Sequence, residues 1–348
     1  MIEKINNWLH AAYEFKASDI HLSVGVPPVF RINGELKRYG EETLSPEDTE
    51  TLAKQMIPEF MLERFEEKGE LDFSYSVPGI SRFRVNAYRQ RNSVAIAIRI
   101  IPTRIPSLEE LQLPSILQTL MDKPQGLILV TGPTGSGKST TLASMIDYMN
   151  KMQKKHVITL EDPIEYLHRH NQCMIDQREV GIDTNSFASG LRASLRQDPD
   201  IILVGELRDL ETIQTAITAA ETGHLVLGTL HTTSAPSTID RIIDVFPGPQ
   251  QAQIRIQLAS VLVSIISQRL FPTIDRQGRK VATEILINTP AVANLIRNEK
   301  IHQIQNVMQT SKAQGMHTLD MSIKRLIQQG DISRLSAESF LQESMHHA

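Results

Sequence analysis

The residues from Gly132 to Thr140 (Gly132, Pro133, Thr134, Gly135, Ser136, Gly137, Lys138, Ser139, Thr140) have the types and order that holding a polyphosphate requires. The glycines let successive backbone amides curl around an oxyanion, and the N-terminus of a following helix adds partial positive charge. Lys138 would neutralise the outer phosphate oxygens, and the Ser139 hydroxyl is a ligand for magnesium. The chemistry implied is binding of ATP or ADP with Mg and transfer of a phosphoryl group to water.

That transfer also needs a carboxylate to anchor the metal and a group to orient or deprotonate water. Glu206 closes the apolar run PDIILVGE and fits the metal role, directly or through water; Ser139 and Glu206 form the expected Mg set. Glu161 closes HVITLE and is the preferred general base, with Asp162 and Glu165 near enough in sequence to compete, and the roles of Glu161 and Glu206 are interchangeable at this level. His224 and His231 flank the run LVLGTL. If His231 lies at its carboxyl end, it sits where open α/β sheets bind ligands and can sense a terminal phosphate or donate to the water network. The two histidines do not suit a shared metal, because opposite ends of such a strand lie roughly 20 Å apart. A structural role for His224 stands beside a functional one.

These groups need a parallel sheet to bring them to one edge. From 116 to 348 the sequence alternates near-continuous apolar strands (GLILVTG, HVITLEDP, PDIILVGE, HLVLGTLH) with helices from Lys138, near 187 to 197 and near 209 to 221, the mark of a sheet covered on both faces. Beyond about 250 the pattern is mainly helical, with one strand at KVATEILINT. Residues 1 to 101 predict a smaller α+β domain: a helix at INNWLHAAYEF, strands at SDIHLSVG, PVFRING, LDFSYSV, RFRVNAYRQ and SVAIAIRII, a helical insert from Pro46 to Lys68, and a hairpin at Asn33-Gly34. Pro102, Pro106 and Pro114 make 102 to 115 a linker.

Composition narrows the function classes. The 348 residues suit two domains, and 41% hydrophobic with 22% charged residues describes a packed chain. Net charge −4 and 5% aromatics disfavour a nucleic-acid motor. One cysteine, Cys173, excludes an internal disulfide and a multi-thiolate zinc site, and points to a reducing, cytoplasmic setting. No apolar run approaches the roughly 20 residues of a transmembrane segment. Within this mild acidity, Arg82 to Arg99 holds five arginines (82, 84, 89, 91 and 99) and no acidic residue, a set suited to phosphate charge brought by a neighbouring domain or else to a solvated basic face.

Four blocks together resemble the type II and type IV pilus secretion ATPases, within the RecA-like P-loop class. They are the phosphate loop, ITLEDPIEY (158–166, the Asp box), LRQDPDIILVGELRD (195–209, the extended Walker B signature) and TGHLVLGTLHT (222–232, the His box). Nearly end to end, with ASDIHLSVGVPP (17–28) and RFRVNAYRQ (82–90) in support, the chain looks most like the retraction ATPases of type IV pili. The resemblance implies a PAS-like N-terminal domain, a RecA-like motor domain, a ring-shaped homohexamer with ATP held where domains meet, and Arg84 and Arg99 as arginine sensors. It also implies hydrolysis-driven domain rotation that pulls on a platform protein at the inner face of the membrane, to which the ring binds peripherally. The chain lacks the four-cysteine zinc site that assembly members often carry. The family's late motif Ala-Ile-Arg-Asn-Leu-Ile-Arg-Glu stands here as Ala291 to Asn298, with Ala293 for the first arginine and Asn298 for the glutamate. The competing readings are an accessory or assembly-side pilus ATPase, a RecA-like nucleic-acid motor, and a nucleotide switch without turnover.

Overall fold

Alternating apolar and polar residues in the first hundred positions become strands with one wet face, whereas the continuous apolar runs further on become strands buried on both faces. The computed structural model describes residues 2–32, 34–102 and 104–346. It forms two compact units, one from Met1–Arg104 with Glu165–Leu167 and the other from Ile105–Ile164 with His168–Ala348.

The first unit runs α1 (Ile2–Glu14), β1 (Asp19–Leu22), β2 (Val29–Ile32), β3 (Glu35–Arg38), α2 (Pro46–Met56), α3 (Leu62–Lys68), β4 (Glu70–Val77), β5 (Ser81–Gln90) and β6 (Ser93–Ile100). Its strands make an antiparallel sheet in the order β3-β2-β1-β6-β5-β4. One face buries Ile20, Phe30, Phe73, Phe83, Val85 and Ile98, and the helices contribute Ile5, Leu9, Leu52 and Phe65 to that core. The insert between strands starts cleanly: Ser45 and Asp48 each accept the other's backbone N–H, and Pro46 occupies the first helical position. Asn33 of the expected hairpin lies outside the described residues, while Gly34 beside it has φ +86°. Strand β3 is an addition to the sequence reading, since its four residues are all exposed and carry no apolar alternation.

The second unit runs α4 (Ile116–Met121), β7 (Gly126–Thr131), α5 (Lys138–Met152), β8 (His156–Glu161), β9 (Met174–Glu179), α6 (Phe187–Ser194), β10 (Ile201–Val204), α7 (Leu210–Glu221), β11 (Leu225–Leu230) and α8 (Ala235–Asp244). It continues with α9 (Gly248–Val261), β12 (Leu262–Pro272), β13 (Arg279–Ile287), α10 (Pro290–Arg297), α11 (Ile304–Thr310), α12 (Leu319–Gln328) and α13 (Arg334–His346). The sheet order is β13-β12-β7-β11-β10-β8-β9, parallel throughout except for β13. Successive residues feed two core layers. Leu127, Leu129, Ile202, Val204 and Val226 pack with α6 to α11, and Ile128, Val130, Ile201, Leu203 and Leu227 pack with α4 and α5.

One reading is corrected. The helical expectation beyond 250 missed β12, which lies inside the sheet between β13 and β7. Polar MIDQRE forms the edge strand β9, where pairing on one side suffices. Within the expected 102 to 115 linker, Leu108 and Leu113 are buried in the core layer of α4 and α5. Among the described residues no helix is long and apolar enough to cross a membrane.

Candidate nucleotide-binding site

Parallel strands end together, so the carboxyl ends of β7, β8, β10 and β11 share one edge of the sheet; Thr131 pairs with Leu230 and Leu160 with Val204. The expected phosphate loop leaves β7 there and runs into α5, with Gly132, Gly135 and Gly137 at φ +142°, +77° and +89°. Glycine is required at 132, since a Cβ would lie 2.4 Å from the backbone oxygen of Gln268. Lys138 Nζ donates to the carbonyls of Gly132 (2.8 Å) and Pro133 (3.2 Å), which holds its ammonium against the loop. Ser139 and Thr140 follow in the first turn of α5, half-buried.

Glu206 comes two residues after β10, and His231 directly after β11. His231 Nε2 stands 3.6 Å from Glu206 Oε1, and the two line an open cleft of about 470 Å³ with Thr134 of the loop, Arg208, Thr232 and Arg241. Gly205 fits between strands because the Leu160 carbonyl would be 3.0 Å from a Cβ there, and its own carbonyl accepts the Thr229 hydroxyl. Glu161, at the end of β8, has its Oε1 held by Thr159 Oγ1 (2.6 Å) and Gln177 Nε2 (3.0 Å). Those two donors fix the direction of the carboxylate. Buried Glu179 accepts the Ile164 N–H at 3.1 Å and so braces the turn after Glu161. Asp162 and Glu165, the competing carboxylates, are both exposed.

His224 is not in the cleft. It precedes β11, at the end opposite His231, and its Nδ1 lies 3.0 Å from the Ala219 carbonyl at the end of α7. The geometry there is that of a helix terminus being satisfied by a side chain.

The five arginines from Arg82 to Arg99 are divided by strand parity and by the hairpin turn. Arg84 and Arg99 are directly opposite across β5 and β6 on the open face of the sheet. Arg89 points to the helix side, over the Phe65 ring at 5.6 Å, and Arg91 sits with Asn92 in the positive-φ turn of the hairpin. Two facing cations repel, and each has a carboxylate in reach: Arg84 Nε is 3.9 Å from Asp72 and Arg99 Nε 2.9 Å from Asp19. Burial works against ionisation of Asp19, but the hydrogen bonds from Arg99 and Ser18 outweigh it and hold the carboxyl below its usual range.

The family model for type II/IV secretion system proteins matches residues 1–342.

The chain belongs to the type II/IV secretion system protein family.

Among its relatives in that family, the type IV pilus retraction ATPase PilT of Pseudomonas aeruginosa is 50% identical over 321 residues, 92% of this chain and 93% of that one. A twitching motility protein of Neisseria gonorrhoeae is 48% identical, covering 91% of this chain and 85% of its own. The crystal structure of the pilus retraction motor PilT with bound ADP superposes with a TM-score of 0.87 at 49% identity, covering all of this chain and 96% of the other. Gln268 and Glu179 are not among the residues expected at the site: Gln268 lies on β12, in a stretch that reads as helix, and Glu179 on the polar edge strand β9.

Proposed function

We propose that this chain is the ATP-hydrolysing subunit of a motor that retracts type IV pili. The observation that carries the reading is the convergence, on one sheet edge, of a complete phosphate loop with the Glu206–His231 pair across a shared cleft. The similarity to PilT supports retraction as the work done.

The residues divide the labour by position. Lys138 meets the β- and γ-phosphate oxygens, and the backbone amides from Gly132 to Thr140 hold the remaining phosphate charge. The oxygen donors Ser139 and Glu206 suit Mg, which binds with few protein ligands and the substrate's phosphates completing its shell, and which supplies charge neutralisation when bound. Among the described residues no group of three or more His, Cys, Asp or Glu side chains is placed to hold a metal by itself. Glu161, oriented by Thr159 and Gln177, takes the proton of the attacking water, and His231 reads the terminal phosphate. The products are ADP and phosphate.

Arg84 and Arg99 on their open sheet face supply positive charge to the phosphates of an adjoining protomer, which makes a homohexameric ring the working unit. Open and closed domain arrangements that bind nucleotide unequally convert hydrolysis into rotation. The ring works in the cytoplasm, docked peripherally on a pilus platform protein of the inner membrane. An accessory role in the same pilus system draws on one observation: Ala293 on α10 is buried and Asn298, the residue that caps its end, folds back onto Asn294 (2.8 Å), at the two positions where the family's motif has arginine and glutamate.

The biochemical test is ATP turnover by the purified protein and two variants. Glu206→Gln and Glu161→Gln should each keep ATP binding and lose most hydrolysis; wild-type turnover in both would remove the proposed chemistry.

A further inference from the structure

The phosphate loop is seated on one residue that belongs to none of the motifs. Gln268, on β12, is 2% exposed, and its Nε2 donates to the Ser136 carbonyl at 2.8 Å. The backbone oxygen of the same residue is what forbids a side chain at Gly132, and a Cβ at Gly137 would lie 3.2 Å from Gln268 Nε2. Gln268 therefore touches the loop at its first glycine and at the Ser136–Gly137 peptide. Its neighbour Ser267 shares a 2.7 Å hydrogen bond with Thr131, the last residue before the loop, so β12 fixes the loop's approach as well.

We infer that Gln268 is a positioning residue that aims the Gly137 amide at the nucleotide's phosphates. The Ser136 carbonyl and the Gly137 N–H are the two ends of one planar trans peptide and point in opposite directions. Holding the carbonyl toward β12 turns the N–H away from β12, to the concave side of the loop. Gly137, at φ +89°, is the N-cap of α5, so this amide stands at the positive end of the helix that a bound phosphate faces. The polar side chain is retained at a cost: Gln268 Oε1 and the Ser136 hydroxyl, itself on a residue 3% exposed, are both buried without a hydrogen-bond partner. A methionine would fill similar volume without an orphaned oxygen, so packing alone does not account for glutamine here.

This inference rests on the reading of the loop as an ATP site, and its test separates the two. ATP affinity, KM and kcat are measured for the wild type, Gln268→Met and Gln268→Glu, with melting curves in the absence and presence of ATP. Met keeps the volume and removes the donor; Glu keeps the shape and sets an acceptor against the Ser136 carbonyl. Loss of one hydrogen bond that orients a phosphate-binding amide predicts Kd and KM for ATP raised about tenfold in Met and more in Glu, with kcat falling less than KM rises. The nucleotide-free melting temperature should stay close to wild type while the ATP-induced increase shrinks. Wild-type KM and Kd in either variant that melts like the parent overturns the inference and leaves the ATP site standing. A wild-type protein that binds no ATP overturns the site itself.

Discussion

Gly132→Ala should damage nucleotide binding far more than Gly135→Ala, although both glycines lie in the same loop with positive φ. At Gly135 (φ +77°) an added Cβ meets nothing within 4 Å, so the cost is the left-handed backbone alone, about 1 kcal/mol, or about fivefold in affinity. At Gly132 (φ +142°) the Cβ falls 2.4 Å from the Gln268 carbonyl oxygen and 2.6 Å from Ser136 Oγ. The serine can rotate; the carbonyl cannot, because β12 is paired on both sides, with β7 and β13. Backbone strain of about 2 kcal/mol and a similar overpacking term give about 4 kcal/mol, close to a thousandfold in Kd if the loop yields and the sheet holds. Titration of a fluorescent ADP analogue reads the affinity, and thermal melting of the nucleotide-free proteins reports whether the sheet held. Gly132→Ala binding within about threefold of wild type with an unchanged melting curve, or Gly135→Ala as damaging as Gly132→Ala, would refute the steric reasoning.

Three further outcomes are expected. Lys138→Ala, which removes the ammonium held at the loop, should abolish measurable ATP binding by calorimetry while leaving the circular dichroism spectrum unchanged; retained binding would contradict its role. Arg84→Ala should lower ATP turnover without lowering the melting temperature, since the side chain is exposed and its Asp72 contact is a long surface pair; full turnover in that variant would remove the arginine from the site. His317 gives a pH dependence: burial first, then the nearby Arg325 and Lys312, push it from 6.5 down to about 4, so the fold favours neutral imidazole and the unfolded chain takes up the proton first. That stability is complete above about pH 6.5 and is lost as pH falls toward about 4, worth about 3 kcal/mol. Urea midpoints measured at pH 7.5 and 4.5 should fall less for His317→Gln than for wild type, and equal falls would show that His317 is not responsible.

What the sequence revealed depended on whether the relevant residues were contiguous. The phosphate loop, the strand running into Gly205-Glu206 and the strand before His231 each carry strand, turn and chemistry within about ten residues, and the parallel register then brings them together. Gln268 reaches the loop from a strand more than a hundred residues later, and that strand was concealed: α9 ends at Val261 and β12 starts at Leu262 with no glycine or proline between, so LASVLVSII reads as one apolar helix. The arginine cluster was visible as composition, but its division was not drawn from it. Strand alternation puts Arg82 and Arg84 on one face and Arg89 on the other, and the Arg91-Asn92 turn sets the register that places Arg84 opposite Arg99. His224 kept both roles open on sequence because a histidine before a strand is equally able to serve a site or a helix end; the structure places its Nδ1 3.0 Å from the Ala219 carbonyl.

Pilus retraction driven by ATP hydrolysis at the Lys138 loop is tested by a deletion strain scored together for surface pili and twitching motility, complemented with wild type or with Lys138→Ala. Retraction by this chain predicts abundant surface pili without motility in the deletion strain, with motility restored by the wild type and not by Lys138→Ala. Cells lacking surface pili, or motility restored by Lys138→Ala, would contradict it.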